Sequence, residues 1–555
     1  MLPRLMTTPN SAPTPPANPM PESAPGTKAS WLPLIIIVLA QLQMSFNINA
    51  LPVSIGPVSE DLHVPPTAIG TALVVYSLFV AAFVMVGAKL GKMFGDRLVF
   101  QVSAAAHGLS MVLMTTATSA AMMNLAQLIA GLAAAALVPT LVVLIAANYR
   151  DNQKSFALGI LASMPAVASG IAFVVAGLIA TALNWRYSFA LIVLLSVAVL
   201  ILSFRLKPIP RQPGVSVDFA GAALSAVALA VILFAFNNIN NWGLFRAKAA
   251  APFSLGSISP VPIMIAFGLL LGKGFFVWSH RRFAKKQTPL LALEVLDSPE
   301  ERNAVFAFLV AGALGTAVSF LIPLYIQFVM AQTPLFTAVA IIPYAIAVAI
   351  AAIFSVKLYK RRTPRQLGAL SFLLVAAGSA VVAFSIKNDW GTPPVILGLL
   401  VLGLGEGAML TLLFNVLVSA SPKELAGDVG ALRGVANNVS SALGAAFASV
   451  VAVGLLSLMI HNGFQQSDLP PSLKKEINFN AIDFVSNSQL KSVLATTSVT
   501  PQQLDTAVSL NETARLRALK TTFLLIAAIS LLAILPAFGL PKYSPGEQPA
   551  DRNTT

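Results

Sequence analysis

A glutamate inside a long apolar segment is the first residue whose type and position suggest chemistry. Glu406 lies in VLGLGEGAML (residues 401–410), about midway between Pro394 and Pro422, and it is the one acid we place at mid-membrane depth. A carboxylate there costs roughly 2.5–3.5 kcal/mol, and lipid offers it no partner. Either the carboxyl reaches an aqueous cavity, or it is a neutral structural group bonded to a neighbouring helix. We predict the first, with Glu406 as the candidate for proton coupling or cation attraction.

Five amide and hydroxyl side chains in nine residues form a second polar group. Gln41, Ser45 and Asn49 recur at i, i+4 and i+8 on one helical face, and Gln43 and Asn47 form a stripe roughly opposite. A hydrogen-bonding cavity wall is our preferred interpretation. The alternative is hydrogen bonding between helices, worth about 0.6 kcal/mol per bond in a membrane.

Four further polar or aromatic side chains are candidates for a substrate cavity. These residues are Tyr76, Gln127, Tyr325 and Tyr344. A tyrosine presents an apolar ring with a polar tip, so each could equally serve helix packing.

Several kinds of chemistry find no support in the sequence. The chain has no cysteine and only four widely separated histidines, so we predict no metal site and no disulfide. No phosphate-binding GxxxxGK[ST] string occurs, and no cluster of acids and histidines suggests catalysis. We expect neither a cofactor nor an enzyme.

Composition identifies the elements that must position these residues. Of the 555 residues 57% are hydrophobic and 10% are charged, against about 25% charged in soluble domains. Apolar runs of roughly 20 residues recur along the chain, and only helices can expose such segments to lipid. We count fourteen spans and predict an all-α polytopic membrane protein.

The basic residues predict the orientation. With fourteen spans, 23 Lys and Arg fall in one set of segments and four in the short loops opposite. Since basic loops stay in the cytoplasm, both termini are predicted to be cytoplasmic. The net charge of +14 therefore indicates topology rather than nucleic-acid binding. Compact loops without cysteine favour a bacterial inner membrane.

Several strings together resemble one transporter family. They are ALPVSIGPVSEDLHVPP after the first span, AKLGKMFGDRLVF between the second and third, NWRYSF after the fifth, and FLIPLYIQ and SPKELAGDVGALRGVANNVSSALGAA in the second half. Their order and spacing are similar to those of major facilitator multidrug transporters with fourteen spans, the drug:H⁺ antiporter-2 type, over about residues 32–540.

The resemblance implies two six-helix bundles separated by two inserted helices, with substrate between the bundles near the midplane. Spans 1, 4, 9 and 12 would line that cavity, and the turn after span 2, with Lys89, Lys92, Gly95, Asp96 and Arg97, would act in conformational gating.

The expected divisions are 1–30, a disordered cytoplasmic tail; 31–205, the first bundle; 206–302, a linker with the inserted helices; 303–540, the second bundle with an external loop at 460–518; and 541–555, a second cytoplasmic tail. VTPQQLDTAV in that loop predicts a short capped helix.

This chain departs from the family pattern at charged positions. Gln43 stands where the family usually has an aspartate, and Gln127 stands where it usually has an arginine. Loss of both charges is consistent with a pair, because removing one would leave the other buried and unpaired. We therefore expect Gln43 and Gln127 to be in contact. Lys92 also replaces an acid, and Phe173 replaces a helix-bending proline.

A secondary transporter is the leading prediction, exporting amphipathic or cationic compounds by alternating access with proton coupling. The expected partners are a small-molecule substrate, protons and the lipid bilayer, without nucleic acid, and the chain is expected to be a monomer. Uptake or exchange of a neutral or anionic metabolite remains open, as does a non-transporting sensor on a transporter fold.

Overall fold

The computed structural model describes residues 30–211, 217–285, 287, 289–291, 298–358, 361–388, 393–420, 426–466, 484, 487–494 and 500–542. Nearly all of these residues are helical. In chain order the helices are α1 Leu32–Val53, α2 Ile55–Leu62, α3 Pro66–Phe94, α4 Asp96–Thr115, α5 Ala120–Asn148, α6 Asp151–Ala182, α7 Arg186–Ser203, α8 Phe219–Asn237, α9 Ile239–Trp242, α10 Pro260–Ala284, α11 Pro299–Leu324, α12 Pro334–Leu358, α13 Pro364–Ser385, α14 Pro393–Ala420, α15 Ala426–Gln466, α16 Asn487–Leu494, α17 Pro501–Leu532 and α18 Ile534–Ala537.

The structure agrees with an all-α polytopic membrane protein. Thirteen helices in the described part of the chain are long and apolar enough to cross a membrane. The remaining predicted span falls on α6, whose described apolar part is Val167–Ala182. The total of fourteen stays a prediction. The tail at 1–29 and most of the loop at 467–486 lie outside the described residues.

Many of these helices start with local signals that the sequence carries. Proline occupies the first turn of α3, α10, α11, α13 and α17, where its missing N–H costs no hydrogen bond. Capping boxes open three of them, formed by Ser298 with Glu301, Thr363 with Gln366, and Thr500 with Gln503.

One predicted boundary is wrong. The Thr500 capping box was expected to open a short external helix separate from the last span. Instead α17 runs unbroken from Pro501 to Leu532. The physical reason is that no glycine or proline occurs between Pro501 and Pro536, so nothing interrupts the helix before it reaches its apolar part.

The helices fall into two groups in chain order, called here the N-half (α1–α7) and the C-half (α11–α18). In the N-half α1 packs on α6 and α7, and α5 packs on α3 and α4. In the C-half α14 packs on α12 and α13, and α15 packs on α11 and α17. The halves meet where α3 packs on α15 and α6 packs on α12. The inserted helix α8 contacts both α3 and α15, while α10 packs mainly on α8.

Helix α11 ends in an irregular turn. Residues Tyr325–Val329 continue α11 as a π-helix immediately after the internal Pro323. Proline removes one backbone donor from a helix and disturbs its regular hydrogen bonding. π-Helical turns are rare, and they occur frequently at functional sites. This turn places Gln327 towards the N-half, at the end of the bundle that the charge distribution predicts to be external.

Candidate functional site

Glu406 lies within the C-half, where α14 faces α11 and α12. The residue is half-buried. The Tyr344 hydroxyl of α12 donates a hydrogen bond to Glu406 Oε2, and Tyr344 is also hydrogen-bonded to the side chain of Ser319 on α11. Ser319, Tyr344 and Glu406 are called the carboxyl cluster below. Two residues that the sequence singled out separately, Tyr344 and Glu406, are therefore in direct contact.

Glycines on either side of Glu406 let α12 and α13 approach α14 closely. A Cβ added to Gly403 would lie 2.6 Å from the backbone oxygen of Tyr344, and one added to Gly405 would lie 2.6 Å from that of Ser371. Gly407 meets the backbone of Val348 in the same way. Gly403 and Gly407 therefore serve close packing between helices.

Gly315 of α11 completes the packing around the carboxyl. A Cβ at this position would collide with the Glu406 carboxyl group. No sequence pattern predicted a role for Gly315 or Ser319. They lie four residues apart, so they share one face of α11, the face turned towards α14.

A small apolar cavity adjoins the Glu406 side chain. Its volume is about 10 Å³, close to the space that one water molecule needs. Among the described residues no Lys, Arg or His forms an ion pair with Glu406. The cavity is lined by Ala311, Leu314, Gly315, Phe372, Val375, Leu402, Glu406 and Met409.

In the N-half a pair of neutral amides takes the central position. Asn47 of α1 donates from Nδ2 to Gln127 Oε1 at 2.9 Å, and Gln127 Nε2 donates to Asn47 Oδ1 at 3.0 Å. Both side chains are fully buried. Because each amide is a donor and an acceptor to the other, the pair needs neither water nor a proton to be stable.

The expected contact between Gln43 and Gln127 is wrong. Gln43 Oε1 accepts a hydrogen bond from Ser196 Oγ of α7 at 3.0 Å, and Gln43 Nε2 is buried without a partner. Gln127 bonds Asn47 instead. The physical reason is helical periodicity: Gln43 and Asn47 are one turn apart on α1, and only Asn47 lies at the level of Gln127.

The other stripe of α1 is less enclosed. Gln41 and Asn49 are half-buried. Gln41 Nε2 donates to Ser45 Oγ at 3.1 Å, and Asn49 Nδ2 donates to Ser169 Oγ of α6 at 3.0 Å. The structure therefore separates the two stripes. Gln43, Asn47 and Gln127 are enclosed in this conformation, and so is Ser45. Gln41 and Asn49, with Ser45 between them, remain candidates for a cavity wall.

Two predicted tyrosines lie apart from the carboxyl cluster. The Tyr325 hydroxyl accepts from Lys387 N at 3.1 Å and donates to Lys387 O at 2.5 Å, so it joins the end of α11 to the segment after α13. Tyr76 is buried in α3, with its backbone against Gly131 of α5. Both positions hold helices together.

The turn between α3 and α4 contains the predicted gating residues. Gly95 has φ 95°, a left-handed backbone conformation that favours glycine. Asp96 is buried beside Gly91, and Arg97 donates to the backbone oxygen of Phe204, past the end of α7, at 2.9 Å. These contacts attach the turn to α7. Lys89 and Lys92 lie in the last two turns of α3, just before this turn.

Gln327 joins the two halves at the predicted external end. Its Oε1 accepts from the backbone N–H of Gly56 at 2.8 Å, and its Nε2 donates to Val53 O at 2.8 Å and to Thr337 Oγ1 at 3.2 Å. The residue appears in the FLIPLYIQ string, but no sequence pattern predicted its contact with α1 and α2. The π-turn decides that contact.

Comparisons with known proteins agree with this architecture. The chain is 26% identical over 439 residues to the puromycin resistance protein pur8 of Streptomyces alboniger, covering 76% of this chain and 82% of that protein. It is 26% identical over 421 residues to the multidrug efflux pump LfrA of Mycolicibacterium smegmatis, covering 75% and 80%.

The fold is similar to that of solved transporters. A bacterial homolog of the human lysosomal transporter Spinster, in an inward-facing and occupied conformation, matches with a TM-score of 0.60 at 13% identity, over 91% of this chain and 95% of that chain. The family model of the Major Facilitator Superfamily matches residues 35–445. This chain, a multi-pass membrane transporter, belongs to the Major Facilitator Superfamily.

Proposed function

We propose that the protein exports amphipathic or cationic small molecules in exchange for protons, by alternating access. The carboxyl cluster is the observation that carries the proposal: an acid in the membrane-spanning region, bonded to a tyrosine hydroxyl and free of ion pairs within the described residues. The efflux and resistance functions in the names of its relatives support the direction and the substrate class.

Charge energetics explains how such a group couples proton and substrate movement. Enclosing an unpaired carboxylate costs several kcal/mol, whereas a protonated carboxyl can donate and accept hydrogen bonds without that cost. A conformational change that admits water to Glu406 removes the difference. Proton uptake and release at Glu406 would thereby depend on which conformation the transporter occupies.

The substrate would meet both halves. Gln41, Ser45 and Asn49 present amide and hydroxyl groups from α1, and the carboxyl cluster lies on the C-half. The pair Gln327 with Val53 and Gly56 would close the external end while the opposite end is open. The turn with Gly95, Asp96 and Arg97 would control opening at the predicted cytoplasmic end, through the contact of Arg97 with the end of α7.

The remaining topology follows the charge distribution. We propose fourteen spans with both termini in the cytoplasm, a bacterial inner-membrane location, a monomer, and the divisions at 31–205, 206–302 and 303–540. A neutral or anionic metabolite is the alternative substrate class, and the enclosed neutral amides Asn47 and Gln127 favour it.

Transport in proteoliposomes with an imposed pH gradient tests the proposal. With ethidium as the lipophilic cation, we expect gradient-driven flux in the native protein and a loss of about tenfold or more in Glu406→Gln, equivalent to 1.4 kcal/mol. Thr411→Val is the matched control on α14, a polar position whose hydroxyl donates to Gly407 O within the same helix. Full flux in folded Glu406→Gln would refute proton coupling through this residue.

A further inference from the structure

The segment between α9 and α10, residues 243–259, is a folded finger at the predicted external end. Gly256 and Ser257 have φ 55° and 77°, and Leu255 and Ile258 exchange backbone hydrogen bonds of 3.2 and 3.0 Å around them. Positive φ at both central residues is the geometry of a type I′ hairpin turn. A strained serine in that turn indicates a defined shape, because serine enters this region only when its surroundings hold it there.

The two arms of the finger are hydrogen-bonded to each other near its base. Ala247 N donates to Ser257 O at 3.0 Å, Ser259 N donates to Phe245 O at 2.8 Å, and Ser259 Oγ donates to Gly243 O at 2.5 Å. Ser259 and Trp242 are buried. Lys248 N donates to Trp242 O at 2.9 Å, which attaches the finger to α9.

Large apolar side chains project from this fixed backbone. Phe245 is 72% exposed and Leu255 67%, and three further apolar residues of the finger are also exposed. Packing within the finger covers none of them fully, although the backbone is ordered by hydrogen bonds. These exposed residues are Leu244, Phe245, Phe253, Leu255 and Ile258.

The charges of the finger have one sign. Arg246 and Lys248 are exposed cations, and residues 243–259 contain no acid. Lys248 Nζ donates to Asn240 O at 2.8 Å, which directs its ammonium group towards α9. Cations beside exposed aromatic and aliphatic groups match the boundary between lipid headgroups and acyl chains.

We propose that the finger is a lipid-binding element, whose apolar side chains enter the acyl region while Arg246 and Lys248 contact headgroup phosphates. Its position supports a bilayer as the partner. The finger begins six residues after α8 ends at Asn237 and leads directly into α10 at Pro260. The helix α10 also exposes large apolar side chains, among them Phe267 and Leu270.

Site-directed fluorescence tests this directly, because the native chain has no cysteine. Leu255→Cys and Phe253→Cys would each carry an environment-sensitive fluorophore in vesicles of phosphatidylcholine with phosphatidylglycerol. Phe267→Cys on α10 is the lipid reference, and Thr506→Cys, an exposed polar position on α17, is the aqueous reference. Nitroxide-labelled lipid and aqueous iodide are the two quenchers.

We expect both finger labels to be quenched by nitroxide lipid about as strongly as the Phe267 label and to be protected from iodide. Arg246→Gln with Lys248→Gln should weaken that quenching severalfold, and removing phosphatidylglycerol should do the same. Iodide quenching equal to that at Thr506 would place the finger in water. Protection from both quenchers would mean that protein covers it. Either result would overturn the proposal, independently of any transport measurement.

Discussion

The two halves of the molecule accommodate their membrane-embedded polar side chains in different ways. Each holds polar side chains within its membrane-spanning helices. The N-half pairs two neutral amides, Asn47 and Gln127, which satisfy each other. The C-half holds a carboxyl, Glu406, whose hydrogen-bond partner is a tyrosine hydroxyl. The amide pair has one stable protonation state, whereas the carboxyl has two. On the proposed function, this difference would place the proton-coupling group in the C-half and a proton-independent hydrogen-bonded pair in the N-half.

Gly315→Ala should have the largest effect among five further substitutions. The new Cβ would displace the Glu406 carboxyl from Tyr344, so we expect gradient-driven ethidium transport to fall about tenfold, corresponding to 1.4 kcal/mol. Gly272→Ala on α10 is the control, because nothing lies within 4 Å of its added Cβ. Equal transport by the two variants would show that the position of the carboxyl is unimportant.

Breaking the amide pair should alter stability but not proton sensitivity. We expect Asn47→Leu and Gln127→Leu each to lower the free energy of unfolding by about 1–2 kcal/mol, since each leaves a buried amide unpaired. The double variant should lose less than the sum. Thermal unfolding in detergent measures both effects. A shift in the pH profile of transport in the double variant would contradict the division between the halves.

Gln327→Leu should loosen the junction between the halves. It removes two hydrogen bonds to α1 and α2, each worth about 0.6 kcal/mol in a membrane. Asn49→Cys provides a thiol whose accessibility can be measured. We expect this thiol to react several times faster with a membrane-impermeant reagent added outside when Gln327→Leu is also present than when it is not. The exposed Gln332→Leu is the control in the same region. Unchanged reactivity would exclude Gln327 as an external contact that limits opening.

Tyr344→Phe should have the smallest effect. It removes the hydroxyl that bonds Glu406 but keeps the ring, at a cost of about 0.5–1.5 kcal/mol. Ethidium transport should fall severalfold, less than in Glu406→Gln, with a changed pH profile. Tyr187→Phe on α7 is the control because its side chain is exposed. A loss as large as that of Glu406→Gln would assign the proton to the pair rather than to Glu406 alone.

The sequence predicted much of the fold because the bilayer simplifies it. Apolar length determines the spans, and proline and capping signals determine many of their starts, as at Ser298 and Thr363. The continuous helix from Pro501 is an exception, because its capping box was expected to open a short separate helix. A capping box marks where a helix begins, but only the absence of a breaker determines how far it extends.

The candidate site was predictable only in part. The rarity of an acid in an apolar span identified Glu406. Tyr344 was one of three tyrosines that the sequence could not rank. The expected contact between Gln43 and Gln127 is wrong. The loss of both the aspartate and the arginine of the family pattern suggests that those charges form a pair, but it does not determine which residues the two glutamines contact instead.

Composition, apolar length and the distribution of basic residues determined by themselves that this chain crosses a membrane many times as helices. Those properties act locally, since each span must satisfy its own backbone hydrogen bonds in lipid. Which polar groups meet across helices was decided by the tertiary structure alone. The rotation and level of each helix, set by Gly315, Gly403 and the π-turn at Gln327, result from packing against neighbours distant in sequence.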